Sequence, residues 1–344
     1  MTNASLRLPA EWEPQSGILI SFPHKNTDWD YMLDEAVKCF VDIAKAIVSD
    51  ELLIIVTPHV DKAKEALKDI EPSKIVYYEI ETNDTWARDF GGITILNNGK
   101  PIVCDFKFNG WGLKFASNHD NLITSKLNNC NAFNASYYNH LNFVLEGGSI
   151  ESDGMGTILT TAQCLLSKNR NGAFSKEDIE QYLSNSLGAK QVLWLDHGAL
   201  EGDDTDSHID TLARLVPNDT IYYVGTDNEA DSHYNELKLM EKQLHSFRTI
   251  NGKYYNLIML PLPSPIYDEN GMRLPATYAN FLIMNHTVLV PTYGQQENDE
   301  CALRLIEKSF PNYKIIGIDC NALIKQHGSL HCVTMQFPKN VIVK

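Results

Sequence analysis

The sequence predicts a mixed α/β fold in a single domain, and three observations lead to this prediction. Short apolar segments of strand length alternate with amphipathic segments of helical spacing along the 344 residues. No Ser-rich or Pro-rich linker interrupts this alternation, so one domain is expected over residues 1–344. Groups of strand, strand, helix and strand recur at intervals of roughly 60–70 residues, which suits a propeller-like array of blades.

Apolar runs rich in β-branched or aromatic residues predict the strands. In chain order these runs are residues 19–22, 52–56, 75–80, 102–106, 143–145, 158–161, 191–195, 221–224, 255–260, 281–284, 288–291 and 315–318. Helices are predicted where apolar residues recur every three or four positions. These segments are residues 31–48, 176–186, 231–246 and 298–309. In the first helix, Phe40, Ala44 and Ile47 would share one face.

Composition limits the classes of function. Lys and Arg number 29 against 44 Asp and Glu, and a net charge of −15 disfavours nucleic acid and anionic membrane as partners. It is compatible with a cationic small-molecule substrate. No apolar run approaches the ~18–20 residues of a spanning helix, and residues 1–7 lack the apolar core of an export signal. The seven cysteines are scattered without a CxxC pair, so a reducing cytoplasm is expected.

Cys332 is the first candidate for chemistry. It lies in the segment 326–334, where Gly328 permits a tight turn before a short apolar strand. A thiolate at such a strand start is a strong nucleophile if a neighbouring cation or histidine lowers its pKa. The alternative is that Cys332 is a small hydrophobic residue buried on an apolar strand.

A second candidate is the polar segment 202–210, which contains four carboxylates. A calcium loop beginning at Asp204 is excluded, because Ile209 and Leu215 occupy the positions of the required glycine and glutamate. In an extended segment His208 and Asp210 project from the same face and could bring an imidazole and a carboxylate into one pocket. A solvated loop is the alternative.

Two further segments combine glycines with polar or aromatic side chains. Trp86 and Asp89 precede Gly91, and an indole face and a carboxylate both attract a guanidinium or ammonium group. The alternative is a surface turn at residues 88–89 with a buried Trp. Glu146 follows an apolar strand and precedes a glycine bend, where side chains reach into sites, although single glutamates at strand ends are more commonly solvated.

Together these segments resemble the agmatine deiminase branch of the guanidino-group-modifying (pentein) superfamily, which includes peptidylarginine deiminases. The resemblance covers nearly the whole chain in the correct order. It is carried by residues 8–14, 86–89, 145–153, 159–171, 203–214, 278–293 and 327–336. The chain reads Ser-His-Ile-Asp-Thr at 207–211 where the family often has Gly-His-Val-Asp-Asn, and His-Gly-Ser at 327–329 replaces a frequent Gly-Gly-Asn. These departures concern substrate fit, because the chemical residues remain.

The resemblance implies a cofactor-free, metal-free five-bladed α/β propeller with its site on the central axis. By position, it implies these roles: Cys332 as nucleophile, His208 as general acid/base, Asp89 and Asp210 as the guanidinium clamp, Glu146 as support for the histidine, Trp86 beside the substrate and Asp204 facing a distal amine.

The implied reaction is hydrolysis of agmatine to N-carbamoylputrescine and ammonia through a covalent thiouronium on Cys332, in putrescine and polyamine biosynthesis. The expected partner is a small cationic guanidino substrate, and the resemblance also allows a homodimer. Deimination of peptidylarginine or free arginine, amidino transfer and non-catalytic polyamine binding stay open as alternatives. A papain-like enzyme fits less well, because its Cys precedes its His in the chain.

Overall fold

The structure is a computed structural model that describes residues 6–343. The prediction that residues 1–7 lack an export signal therefore lies almost entirely outside the described residues. Within the described range, none of the helices combines the length and the apolar character needed to cross a bilayer.

Strands and helices alternate along the described chain. The strands are β1 (Leu6–Arg7), β2 (Gln15–Ser21), β3 (Leu53–Thr57), β4 (Ile75–Glu79), β5 (Ile93–Asn97), β6 (Lys100–Lys107), β7 (Ser136–Val144), β8 (Ile150–Ser152), β9 (Thr157–Thr161), β10 (Gln191–Leu195), β11 (Ala213–Val216), β12 (Thr220–Gly225), β13 (Asn256–Pro261), β14 (Leu282–Ile283), β15 (Thr287–Thr292), β16 (Lys314–Asp319) and β17 (Met335–Pro338).

The helices are α1 (Leu33–Val48), α2 (Val60–Ala66), α3 (Ala87–Phe90), α4 (Gly110–Leu113), α5 (Ile123–Asn129), α6 (Ala162–Leu165), α7 (Lys168–Asn171), α8 (Lys176–Leu187), α9 (Tyr234–Leu244), α10 (Gln296–Ser309) and α11 (Asn321–Ile324). Short 3-10 turns occupy Asp30–Met32, Pro72–Lys74, Asp120–Leu122, Gly147–Ser149 and Ile209–Thr211.

The strands form five sheets, and these sheets share one pattern. Their orders are β1-β5-β6-β7, β8-β9-β10, β11-β12-β13, β14-β15-β16 and β17-β2-β3-β4. In each sheet a short first strand pairs antiparallel with a second strand, which pairs parallel with a third across a helical connection. A parallel pair requires such a crossover. The five repeats confirm the five-bladed α/β propeller.

The two ends of the chain close the ring. β17, near the C-terminus, pairs antiparallel with β2, so that Met335 lies opposite Leu19. One sheet therefore contains both early and late residues, and this pairing joins the last blade to the first.

Local sequence accounts for the elements. All five residues of β3 (LIIVT) are buried, as expected of a parallel strand covered on both faces. In α1 the predicted face of Phe40, Ala44 and Ile47 is buried. α8 begins with a capping box between Ser175 and Asp178.

Every predicted strand and long helix overlaps an observed one. Four observed strands were not predicted: β1, β5, β8 and β11. The strand expected to start at Cys332 is β17, which begins three residues later, at Met335. β5, β8, β11 and β17 are the strands that pair antiparallel with the second strand of their blades. They have between three and five residues, and several are mixed in polarity, such as Ile-Glu-Ser in β8. Such segments are too short to show a clear periodicity.

Candidate active site

The site is assembled from the turns that precede the first strands of the five sheets. Each sheet contributes one of these turns, and the side chains converge. The contributions are Asp89 before β5, Glu146 and Gly148 before β8, His208 and Asp210 before β11, Asn280 before β14 and Cys332 before β17. The repeated blade therefore places residues more than 200 positions apart in the chain around one centre.

Cys332 is buried, yet it forms part of the wall of a cavity. Its thiol donates to Asn280 Oδ1 at 3.4 Å and lies 3.8 Å from Asp210 Oδ2. Burial raises the pKa of the Cys332 thiol well above its usual value, and the carboxylates of Asp210 and Asp89 raise it further. In the free protein the sulfur is therefore protonated, and a cation among these groups would favour the thiolate.

His208 lies beside Asp89, with 3.6 Å between His208 Nδ1 and Asp89 Oδ1. Burial is the largest influence and lowers the pKa of His208, but Asp89, Cys164 and Glu146 together outweigh it, so the pKa lies well above its usual value. Nε2 is buried without a well-formed hydrogen bond to any described residue. A raised pKa favours the imidazolium form of His208, which is the form that can act as a general acid.

The carboxylates of Asp89 and Asp210 are held differently. Asp89 Oδ1 accepts from the Gly148 backbone N–H at 3.0 Å, and Asp89 Oδ2 accepts from Trp111 Nε1 at 2.9 Å. Asp210 Oδ2 lies 2.8 Å from His331 Nδ1, whereas the buried Asp210 Oδ1 has no partner among the described residues. Burial raises the pKa of Asp89, and it also acts on Asp210, but there the bond to His331 and nearby positive charges lower the pKa below its usual value.

Gly148 allows these groups to approach one another. A Cβ at this position would lie 2.7 Å from His208 Nδ1 and 2.8 Å from Asp89 Oδ1, closer than such contacts occur. It would also lie 3.2 Å from Asp210 Oδ2, so the three site residues surround one small volume.

Glu146 is fully buried and is paired with Arg170. Arg170 Nε lies 2.9 and 3.1 Å from the two carboxylate oxygens, and Arg170 also binds Asp206. The ligand atoms of Glu146 and His208 lie within 4.8 Å of each other, together with Cys164. Glu146 is thus close to the histidine, as expected. Because Arg170 occupies both its oxygens, the trio fits hydrogen bonding better than a metal ion.

A front cavity of about 150 Å³ leads to Cys332. Its lining comprises Asp28, Asp84, Trp86, Asp89, Trp111, Phe115, Asp204, Thr205, Gln326, His327, Gly328 and Cys332. Trp86 packs against Gly328, where a Cβ would lie 2.1 Å from the indole ring. Burial raises the pKa of Asp204 to about 6, and burial together with the charge of Asp28 raises that of Asp84 to about 7. The cavity is acidic, and its lining contains neither Lys nor Arg among the described residues.

A rear cavity of about 70 Å³ lies behind the same segments, and its lining includes Glu11, Arg88, Gly147, Glu151 and His331. Arg214, which is fully buried, binds Glu11 and Glu151 in this region. The alternation is regular: Asp89 and Cys332 face the front cavity, whereas their chain neighbours Arg88 and His331 face the rear one.

The structure brings all seven predicted site residues to this centre or to the front cavity. It also adds residues that were not predicted, namely Asn280, Trp111, Arg170 and His331. Trp111 has a left-handed backbone (φ 55°, ψ 50°) within α4, a strained conformation that is typical of functional sites. Asn280 could have been found by asking which polar residue precedes β14, since each other sheet supplies its site residue from that place.

Comparison with known proteins identifies the relatives of this chain. Residues 7–338 match the family model described as Porphyromonas-type peptidyl-arginine deiminase. The chain is 35% identical to a protein of Legionella pneumophila (strain Paris) provisionally named an agmatine deiminase, over 97% of this chain and 95% of that protein.

Two solved structures are also similar over their whole length. One, from Porphyromonas gingivalis and provisionally described as an arginine deiminase, is 49% identical with a TM-score of 0.94, covering 98% of this chain and 100% of that one. The other is a cysteine-to-serine variant of C. jejuni agmatine deiminase with substrate bound. It is 37% identical with a TM-score of 0.92, covering 99% and 98%.

Proposed function

The chain belongs to the Porphyromonas-type peptidyl-arginine deiminase family, and we propose that it hydrolyses agmatine to N-carbamoylputrescine and ammonia. The observation that carries this proposal is the pairing of a thiol with two buried carboxylates at the end of an acidic cavity. A planar guanidinium satisfies both the unpartnered Asp210 Oδ1 and the Asp89 carboxylate through parallel hydrogen bonds.

Agmatine fits the front cavity better than arginine does. Agmatine carries a second positive charge and no carboxylate, and Asp28, Asp84 and Asp204 lie in the cavity lining. Free arginine would need a cationic group for its carboxylate. The lining lacks Lys and Arg within the described chain, and the nearby Lys114 is already bound to Asp206 and to the Asp204 carbonyl.

Binding of the substrate prepares the nucleophile. The carboxylates that raise the pKa of the Cys332 thiol become paired with the guanidinium, whose positive charge favours the thiolate. The thiol proton leaves to solvent. The sulfur then attacks the guanidinium carbon, whose plane is fixed by Asp89 and Asp210.

His208 acts twice in the proposed reaction. As the imidazolium, it protonates the departing nitrogen, the C–N bond breaks, and ammonia leaves a thiouronium on Cys332. The neutral imidazole then takes a proton from water, which adds to the same carbon. The C–S bond breaks, releasing the ureido product and the thiolate. The ion pair between Glu146 and Arg170 packs beside His208 and keeps its position fixed. The ureido product would serve as a precursor of putrescine.

The test is product analysis with three substrates. The purified protein is incubated separately with agmatine, arginine and an arginyl peptide, and both ureido product and ammonia are measured. We expect equal amounts of both products, with the highest kcat/KM for agmatine. A higher kcat/KM for arginine or for the peptide would show that agmatine is not the preferred substrate. Ureido formation with none of the three, despite saturable agmatine binding, would favour the polyamine-binding alternative.

A further inference from the structure

His331 is a second buried histidine that touches the site without lining the front cavity. It immediately precedes Cys332, and both of its ring nitrogens face carboxylates. Nδ1 lies 2.8 Å from Asp210 Oδ2, and Nε2 lies 3.0 Å from Glu11 Oε2. Because an ionised carboxylate can only accept hydrogen bonds, Nδ1 is the donor to Asp210, whereas Nε2 lies between Glu11 and Arg214 Nη2, 3.2 Å away.

The far end of this imidazole is firmly held. Glu11 Oε2 accepts from Arg214 Nη2 at 2.5 Å, and Arg214 Nε donates to Glu151 Oε1 at 2.6 Å. Arg214 Nη1 donates to the backbone carbonyls of Ala279 and Phe281. A continuous chain of polar contacts therefore runs from the rear cavity through His331 to Asp210.

We infer that His331 is a positioning residue that fixes the orientation of Asp210, and that Glu11 holds His331 in place for this purpose. A carboxylate bound through one oxygen can no longer rotate freely, so the bond at Oδ2 determines where Oδ1 points. Oδ1 is the buried oxygen without a partner, and it is the one that the proposed function assigns to the guanidinium.

Charge gives His331 a second effect on the same carboxylate. Burial raises the pKa of Asp210, and the hydrogen bond and charge of His331 lead the opposing contributions that lower it, followed by His208 and Arg214. Without His331 the carboxyl would be more readily protonated, and a neutral acid cannot pair with a cation. The inference rests on the proposed function for the identity of the bound group, but not for the state of Asp210.

Two substitutions separate the two ends of the ring. In His331→Asn the amide nitrogen lies close to the former Nδ1 and can still donate to Asp210, whereas in His331→Gln it lies close to the former Nε2 and reaches Glu11. We expect His331→Gln to lower kcat by about a hundredfold and His331→Asn by only about fivefold, because a misplaced reacting group costs this much. If His331 contributed only packing, His331→Asn would not retain more activity than His331→Gln.

The pH profile supplies a measurement that a folding defect would not change. We expect the acid limb of kcat/KM to move to higher pH in His331→Gln and to stay in place in His331→Asn. The charged groups around the ring are the same in both variants: Glu11, Asp210 and Arg214 in contact, with Arg88 and Glu151 lining the rear cavity beside it. Glu11→Gln, a milder change, should move the limb in the same direction by less.

Carboxyl ¹³C NMR reports on Asp210 even if the wild-type protein hydrolyses no guanidine. The Asp210 resonance is assigned by its loss in Asp210→Asn, and its pKa should rise in His331→Gln. An inactive wild type would refute the proposed function alone. The role of His331 would be overturned if His331→Asn and His331→Gln lost equal kcat. It would also be overturned if the Asp210 pKa were unchanged in His331→Gln.

Discussion

The cluster around Arg214 at the rear and the group around Cys332 at the front are built from neighbouring chain segments but satisfy their polar groups differently. On the rear side every guanidinium nitrogen of Arg214 has a partner, in Glu11, Glu151 or a backbone carbonyl. Beside Cys332, His208 Nε2 and Asp210 Oδ1 are buried and have no hydrogen-bond partner among the described residues, and Arg88 Nη2 at the rear cavity also lacks one. Buried polar groups normally find partners. The cluster around Arg214 is therefore satisfied internally and stabilises the fold, whereas the free oxygen of Asp210 beside Cys332 marks where a cationic group could bind.

The largest effect on this contrast is expected from Cys332→Ala. Without the sulfur no covalent step is available, so ureido formation should fall at least about ten-thousandfold. Agmatine should still bind, because the clamp carboxylates remain, and isothermal titration calorimetry measures this. Cys301→Ala, a control on α10, should keep full activity. Turnover by Cys332→Ala at the wild-type rate would show that Cys332 is not the nucleophile.

A pair of substitutions tests whether the Arg214 cluster serves stability and the group around Cys332 serves activity. Arg214→Met leaves Glu11 and Glu151 buried without their cation, which should lower the free energy of unfolding by about 3–5 kcal/mol. Asp89→Asn should lower kcat/KM by about a thousandfold while leaving the midpoint of thermal unfolding nearly unchanged. Denaturant unfolding and steady-state assays measure both variants. The opposite pattern would refute the contrast.

The resting thiol offers a test that depends on pH. Since burial and two carboxylates raise the pKa of Cys332 well above its usual value, the thiolate fraction of the free protein should increase about tenfold per pH unit through pH 9. Inactivation by iodoacetamide should follow this increase. A Cys130→Ser background removes the exposed thiol. A rate that levels off near pH 7 would show that the thiolate forms without substrate.

The smallest effect is expected at the outer part of the front cavity. Asp204→Asn removes one negative charge facing the distal amine, and KM for agmatine should rise about tenfold. n-Butylguanidine, which lacks that amine, serves as the matched substrate, and its KM should not change. An equal increase in KM for both substrates would mean that Asp204 shapes the cavity but does not bind the distal amine.

Much of this arrangement could be predicted from sequence, for identifiable reasons. Long apolar runs such as β3 and the helical spacing of α1 are local patterns, and both were located correctly. The short strands β8 and β11 were missed because their polarity is mixed: Glu151 and Arg214 point to the ionic cluster beside the rear cavity. Local patterns carry no information about such long-range pairs.

The site shows the same division. Motif resemblance singled out Cys332, His208, Asp89 and Asp210, which the structure places close together, because these residues lie in recognisable segments. It missed His331 and Asn280, whose importance comes from contacts with Asp210 and the thiol that exist only after the sheets assemble into a ring.

The covalent step at Cys332 is tested most directly by acid-quench mass spectrometry. The wild-type protein is mixed with excess agmatine, quenched within the first turnovers and digested. We expect the peptide containing Cys332 to gain the mass of agmatine less one ammonia, and this gain to disappear as substrate is exhausted. Ammonia release with no adduct on that peptide, or with an adduct on another cysteine, would contradict it.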